Sequence, residues 1–292
     1  MPELPEVETV KRGLQPVLEG ATIARVTLNR PDLRFPLPEH FAKRLTGQRF
    51  SGLSRRAKYI LADLENGDVL IAHLGMTGRF VIERASGAAT PGEFYYDAPR
   101  DPVHDHVIFD LSGGVRVIYN DPRRFGFMDL VARSQLAEHR SFRDLGLEPL
   151  GNALTGRRLL SLFEGKVTSF KAALMDQRLI AGLGNIYVCE ALFQASLHPE
   201  RKAGSLRPSE AEILSDRIRA ILMKAVELGG STISDFVHTD GTSGGFQEEF
   251  AVYDREGQPC RVCAAPVSRI VQSNRSTFFC ATCQPVKAKG RR

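Results

Sequence analysis

No stretch of this 292-residue chain approaches the ~20 consecutive apolar residues that a membrane-spanning helix requires. Positions 7–19 carry charges throughout, so no secretory leader is expected either, and the expected setting is a reducing cytoplasm. Internal repeats, heptads and low-complexity tracts are also missing, which argues against solenoid, coiled-coil and disordered classes. No strand-like segment carries the aromatic stacking pattern of a single-stranded RNA module. Net charge is only +5, and cysteine is scarce, with five in all. What is present is 42% hydrophobic residues, ample for the cores of about two domains.

Four of the five cysteines fall as Cys260-x2-Cys263-x16-Cys280-x2-Cys283. Two such pairs fit one tetrahedral structural zinc site, because each pair can share a turn and two turns leave no open position. A pair of disulfides is the competing reading, and a reducing compartment favours zinc. The segment is too short and polar to fold alone, so the metal is expected to supply its stability. Cys189, within Val188-Cys189-Glu190-Ala191-Leu192, reads as a small packing residue of a helix. From Ala251 to Arg292 there are eight Lys/Arg against two acids, a net of +6, leaving the rest of the chain at −1. A metal module holding the entire positive excess suggests a polyanion contact, with a solvated tail at 287–292 as the plainer account of its end.

Val7, Val10, Leu14, Val17 and Leu18 recur at helical spacing and predict a helix over 6–19, closed by Gly20. Strand-like alternation follows to about 133: Thr22–Leu28, Lys58–Leu64, Val69–Leu74, and the pair His106–Asp110 and Val115–Tyr119 around Ser112-Gly113-Gly114. Residues 84–103, rich in Gly, Pro, Ala and Asp, read as a surface insertion. Beyond Pro149 and Gly151 helical periodicity takes over, at Leu159–Phe163, Phe170–Met175, Ile186–Leu197 and Pro208–Leu228. Between two of these helices, Ala181-Gly182-Leu183-Gly184-Asn185 predicts a turn with exposed amides at a helix start, either a phosphate seat or a plain glycine turn. The expected domains are 1–134, a linker at 135–152, 153–247 and 248–292.

The chain opens Met1-Pro2-Glu3. Removal of Met1 would leave Pro2 as a free secondary amine. Such an amine forms a cationic iminium with a sugar or carbonyl carbon, and α-amino groups titrate near pH ~7.7–8.0, so an appreciable fraction is neutral at physiological pH. While Met1 is attached the nitrogen is an amide without nucleophilicity.

Six motifs in order resemble the bacterial formamidopyrimidine-DNA glycosylase family: Met1-Pro2-Glu3-Leu4-Pro5-Glu6-Val7-Glu8-Thr9, Arg55-Arg56-Ala57-Lys58-Tyr59, His73-Leu74-Gly75-Met76-Thr77-Gly78, Asn120-Asp121-Pro122-Arg123-Arg124-Phe125-Gly126, Ala181-Gly182-Leu183-Gly184-Asn185-Ile186-Tyr187, and the cysteine module with Arg275-Ser276-Thr277. The resemblance implies an α+β multidomain fold: a two-layered β-sandwich, a helical domain with a helix–two-turn–helix, and a C-terminal zinc finger with one structural Zn2+. It implies a monomeric bacterial enzyme, cytoplasmic and nucleoid-associated, acting on damaged double-stranded DNA held in the cleft between its domains.

The same resemblance implies roles. Pro2 attacks C1′ of a damaged nucleotide, Glu3 is the general acid, and Lys58 and Arg275 donate protons in β- and δ-elimination. Met76, Arg123 and Phe125 fill the gap left by a flipped nucleotide. His104, Lys166 and Arg123 contact DNA, Asn185 and Tyr253 bind phosphates, and Lys171 lies near the lesion pocket. The Gly/Ser/Thr-rich stretch Ser231–Phe246 corresponds to a loop closing over the flipped base. Leu4 and Val7-Glu8-Thr9 favour oxidised purines over the related endonuclease VIII type, which prefers oxidised pyrimidines. A non-catalytic DNA-damage-binding zinc protein is the alternative from another class.

Overall fold

The computed structural model describes residues 1–91, 100–231 and 245–286. Part of the 84–103 insertion, most of the 231–246 stretch and the basic tail lie outside the described residues. Two compact units emerge: Met1–Arg143 with Leu228–Gly245, and Asp144–Glu227 with Phe246–Arg292.

The first unit contains α1 (Leu4–Leu18), β1 (Ile23–Leu28), α2 (Phe41–Leu45), β2 (Phe50–Arg56), β3 (Tyr59–Leu64), β4 (Asp68–His73), β5 (Arg79–Arg84), β6 (Gly87–Ala89), β7 (Asp105–Leu111), β8 (Arg116–Asn120) and β9 (Phe127–Ala132). They build two antiparallel sheets, ordered β1-β7-β8-β5-β6 and β2-β3-β4-β9, the expected two layers. Strand period two explains their packing. Ile60, Ala62, Leu70, Ala72 and Met128 turn to the main core, where they join Val107, Phe109 and Val117 of the other sheet. The alternate residues Leu61, Val69, Ile71 and Phe127 face outward under Phe35, Leu136 and Phe142. Both faces of the smaller sheet are therefore covered, and part of the expected linker does the covering.

Helix α1 starts at Leu4, two residues before the expected 6–19. Pro5 suits the first turn, where its missing N–H costs no hydrogen bond. Glu6 reaches back to accept Glu3 N at 2.8 Å, the return half of a capping box. Val7, Val10, Leu14 and Leu18 form the buried stripe, each contributing about 1.5–3 kcal/mol, and the helix packs on β2 and β3. Gly20, at φ +79, ends it and donates its amide to Phe50 O at 2.8 Å.

The second unit holds α3 (Gly156–Phe163), α4 (Phe170–Met175), α5 (Asn185–Gln194), α6 (Pro208–Glu227), β10 (Ser268–Gln272) and β11 (Arg275–Phe279). Thr155 and Ser169 cap α3 and α4 through their hydroxyls. Helix α5 is buried on every side from Ile186 to Phe193 and packs on α4, α6 and β11. Its Glu190 carboxylate accepts the amides of Ala251, Val252 and Tyr253 at 2.9, 3.0 and 2.8 Å. Burial nevertheless pushes the Glu190 carboxyl up, more than those donors pull it down.

The expected exposed turn before α5 is corrected. Ala181 to Gly184 are buried. Ala181 N donates to Leu147 O at 2.8 Å and Gly182 N to Gln177 Oε1 at 2.9 Å, so neither amide is open to a phosphate. A parallel bridge between Leu147 and Ile180 brings the preceding segment against the turn. No helix among the described residues is long and apolar enough to cross a membrane.

Candidate active site and nucleic-acid interface

In the first unit, Pro2 and Glu3 sit buried at the start of α1, with Glu3 as its N-cap at 3% exposure. Glu6, which the sequence reading passed over, is the organiser. One carboxylate oxygen holds Glu3 N, and the other accepts Ser231 N at 2.8 Å and Ser231 Oγ at 3.0 Å. The amino terminus is thereby tied to the first residue of the 231–246 stretch. An acid three positions after Glu3 was the available signal; the Ser231 partner had none.

Lys58 is buried, at 6% exposure, although it closes the basic run Arg55-Arg56-Ala57-Lys58. It occupies the two-residue turn between β2 and β3, after Ala57 at φ +52, a left-handed conformation costing a non-glycine residue about 1–2 kcal/mol. Arg55 fixes this turn by donating to Ala57 O at 2.8 Å, and ties it to α1 through Glu8 at 3.1 Å. The Pro2-Glu3 end of α1 and Lys58 thus belong to one braced layer. His73, paired with Tyr59 across β3 and β4, is held down to about 4 by burial, with Lys58 and Arg34 adding repulsion. Neutral His73 accepts Gly75 N through Nδ1 at 3.0 Å, so its proton resides on Nε2.

Met76 is half-buried in the loop after β4. Arg123 and Phe125 are exposed in the loop between β8 and β9, with the guanidinium 4.6 Å from the ring centroid. A cation stacked on an exposed ring keeps both side chains extended together. His104 is half-buried, and its carbonyl accepts Asp121 N at 3.1 Å.

In the second unit, Arg275 is exposed at the start of β11. Lys171, buried at 2% exposure, donates to Ser276 O at 2.9 Å and Thr277 Oγ1 at 2.6 Å, while Asn185 Nδ2 donates to the same Ser276 O at 2.9 Å. Two helices therefore grip the strand one residue beyond Arg275. Lys171 and Arg275 also line a pocket of about 190 Å³ with Met175, Asp176 and Gln272. Lys166 is half-buried before α4, with its carbonyl accepting Gly204 N at 2.9 Å. Tyr253 is half-buried, and its ring packs edge-on against Phe250 and Phe278.

Cys260, Cys263, Cys280 and Cys283 bring their sulfurs within 4.8 Å of one another. Tetrahedral zinc at about 2.3 Å from each sulfur demands sulfur separations near ~3.8 Å. The Cys260–Cys283 and Cys263–Cys280 pairs stand at 3.9 and 3.5 Å, so the donor set fits the metal. Burial opposes a thiolate at Cys260, but the amides of Val262 and Cys263 outweigh it and bring that thiol down to about 7. Burial and the crowded sulfurs push Cys280 and Cys283 up, a penalty that a central dication reverses. Cys189 packs in the same apolar cluster as Cys260 and Cys280, as expected of it.

Known families match in three blocks. Residues 1–128 match the family described as formamidopyrimidine-DNA glycosylase N-terminal domain, 145–237 its H2TH domain, and 257–286 a zinc finger found in FPG and IleRS. A formamidopyrimidine-DNA glycosylase of Methylobacterium nodulans is 60% identical over 98% of this chain and 100% of its own length. Among solved structures, the MutM (FPG) protein of Thermus thermophilus is 41% identical with a TM-score of 0.82, covering 98% of this chain and 100% of that one. A Lactococcus lactis FPG mutant in complex with a Fapy-dG containing DNA is 34% identical with a TM-score of 0.85, covering 97% and 100%.

Proposed function

We propose, because the chain belongs to the formamidopyrimidine-DNA glycosylase family, that this DNA glycosylase and AP lyase of base excision repair works from the Pro2 nitrogen on oxidised purines in duplex DNA. The observation that carries the assignment of residues is the buried Pro2-Glu3 pair at the head of α1, with Glu6 holding the backbone beside it. Removal of Met1 exposes the amine. Its lone pair attacks C1′ of the flipped nucleotide, the glycosidic bond breaks with its electrons passing to the base, and Glu3 supplies the proton that opens the sugar ring.

The resulting iminium acidifies the C2′ proton. Loss of that proton expels the 3′ phosphate, and a second elimination expels the 5′ phosphate, leaving a one-nucleotide gap. Lys58 serves the first departure and Arg275 the second. Met76, Arg123 and Phe125 fill the vacated stack: the apolar groups replace stacking and the guanidinium pairs the orphaned base. His104, Lys166, Asn185 and Tyr253 hold the backbone, and Lys171 sits at the lesion pocket. Segment 1–134 supplies the nucleophile, 153–247 the helical grip and 248–292 the zinc module. One Zn2+ on the four cysteines is structural, with no open coordination position. The enzyme acts in the cytoplasm, associated with the nucleoid.

The test is excision from duplexes carrying 8-oxoguanine, a formamidopyrimidine or thymine glycol. Pro2→Gly and Glu3→Gln should each abolish base release while leaving the thermal midpoint within a few degrees of the parent. Wild-type rates in either variant, or a preference for thymine glycol, would overturn the reading.

A further inference from the structure

Asp121 is fully buried, and its contact with Thr77 joins two loops across a sequence separation of 44 residues. Thr77 Oγ1 donates to Asp121 Oδ1 at 2.5 Å, while Arg123 N donates to the same Thr77 hydroxyl at 3.2 Å. Gly126 N and Tyr119 OH donate to Asp121 Oδ2 at 2.9 and 3.3 Å, and His106 Nε2 bonds the Asp121 carbonyl at 2.9 Å. The backbones touch as well. Gly75 lies at φ +61, and a Cβ there would fall on the main chain of Phe125 and Gly126; a Cβ on Gly126 would fall on the Tyr119 hydroxyl. His73 holds the same loop from its other side, through Gly75 N.

We propose that Asp121 and Thr77 are positioning residues that lock the 75–78 and 121–126 loops into one rigid wedge, so that Met76, Arg123 and Phe125 enter the base stack together. This rests on the gap-filling reading of those three side chains. Displacing a stacked nucleotide must be offset at once by the groups that replace it, and a functional constellation loses effect when its members drift by about 0.5 Å. Thr77 is the joint. Its hydroxyl hydrogen goes to the Asp121 side chain and its lone pair takes the amide of Arg123, so one group serves both loops.

The test compares lesion excision from duplex 8-oxoguanine DNA with borohydride trapping on a single-stranded oligonucleotide carrying a preformed abasic site, where no base has to be displaced. Thr77→Val should slow duplex excision about 10- to 100-fold, the cost of a lost buried hydrogen-bond pair, and leave single-strand trapping within about twofold. Thr77→Ser should restore the duplex rate. A 2-aminopurine beside the lesion should brighten on binding of the parent and the serine variant, and stay dim with valine. If Thr77→Val does not fold, Tyr119→Phe, which removes one donor to Asp121, carries the same comparison. Met76→Ala run in parallel separates the two readings. Normal duplex excision by Met76→Ala rejects the gap-filling role. Slow excision by Met76→Ala with normal excision by Thr77→Val rejects the lock, as does equal loss by Thr77→Val on both substrates.

Discussion

Glu6 and Asp121 in the first unit, and the four cysteines in the second, solve the same problem by different chemistry. Each buried carboxylate gathers backbone amides and hydroxyls from segments far apart in sequence: Glu6 from Glu3 and Ser231, Asp121 from Thr77, Gly126 and Tyr119. The 75–78 and 121–126 loops thus hang from a β-sandwich with a large apolar core. The hairpin carrying Arg275 has only a small cluster of its own, and relies on Lys171, Asn185 and a metal. A core-anchored residue should survive whatever leaves the core intact, whereas a metal-anchored one should fail with the metal.

Chelation gives the largest expected effect on that contrast. Structural zinc contributes apparent binding free energies of about 10–16 kcal/mol in isolated fingers. Its removal should erase hydrogen-exchange protection at 257–283 and abolish DNA binding, while β7 and β8 keep their protection. Equal loss across both units, or full DNA binding by a zinc-free preparation, would break the comparison.

Acid should act the other way round. His73 titrates near 4 in the folded first unit against about 6.5 in an unfolded chain, so the unfolded state binds the proton first. Stability is therefore complete above about pH 6.5, declines as pH falls towards 4, and is about 3 kcal/mol lower below that. His73→Asn, whose Oδ1 can accept the Gly75 amide, should flatten the profile measured by denaturant titration. An unchanged slope in that variant would assign the acid sensitivity elsewhere.

The same contrast governs what the bare sequence disclosed. Metal ligands had to lie at fixed short spacings, so Cys260-x2-Cys263 and Cys280-x2-Cys283 announced themselves. Helices α4 and α6 were legible because their apolar residues repeat locally, and β7–β8 because Gly113-Gly114 marks its turn. Strand β2 was missed: Ser51, Ser54 and the two arginines leave little alternation on a strand at the sheet edge. Glu6, Asp121 and Glu190 were missed as anchors because a carboxylate's partners become visible only after folding; Ser231 is 225 residues from Glu6. Lys58 carries no periodic signal of its own, and its burial appears only with the folded β2–β3 turn that Arg55 ties to Glu8 of α1. The resemblance to a family named Lys58 where periodicity could not.

The most direct measurement on the central claim is borohydride reduction of the enzyme with an 8-oxoguanine duplex, followed by peptide mapping of the adduct by mass spectrometry. A single DNA-modified peptide beginning at Pro2 is expected, with the added mass on its amino-terminal nitrogen and no Met1. Full excision by a preparation whose Pro2 nitrogen remains acylated, or an adduct on a lysine such as Lys58, would contradict it.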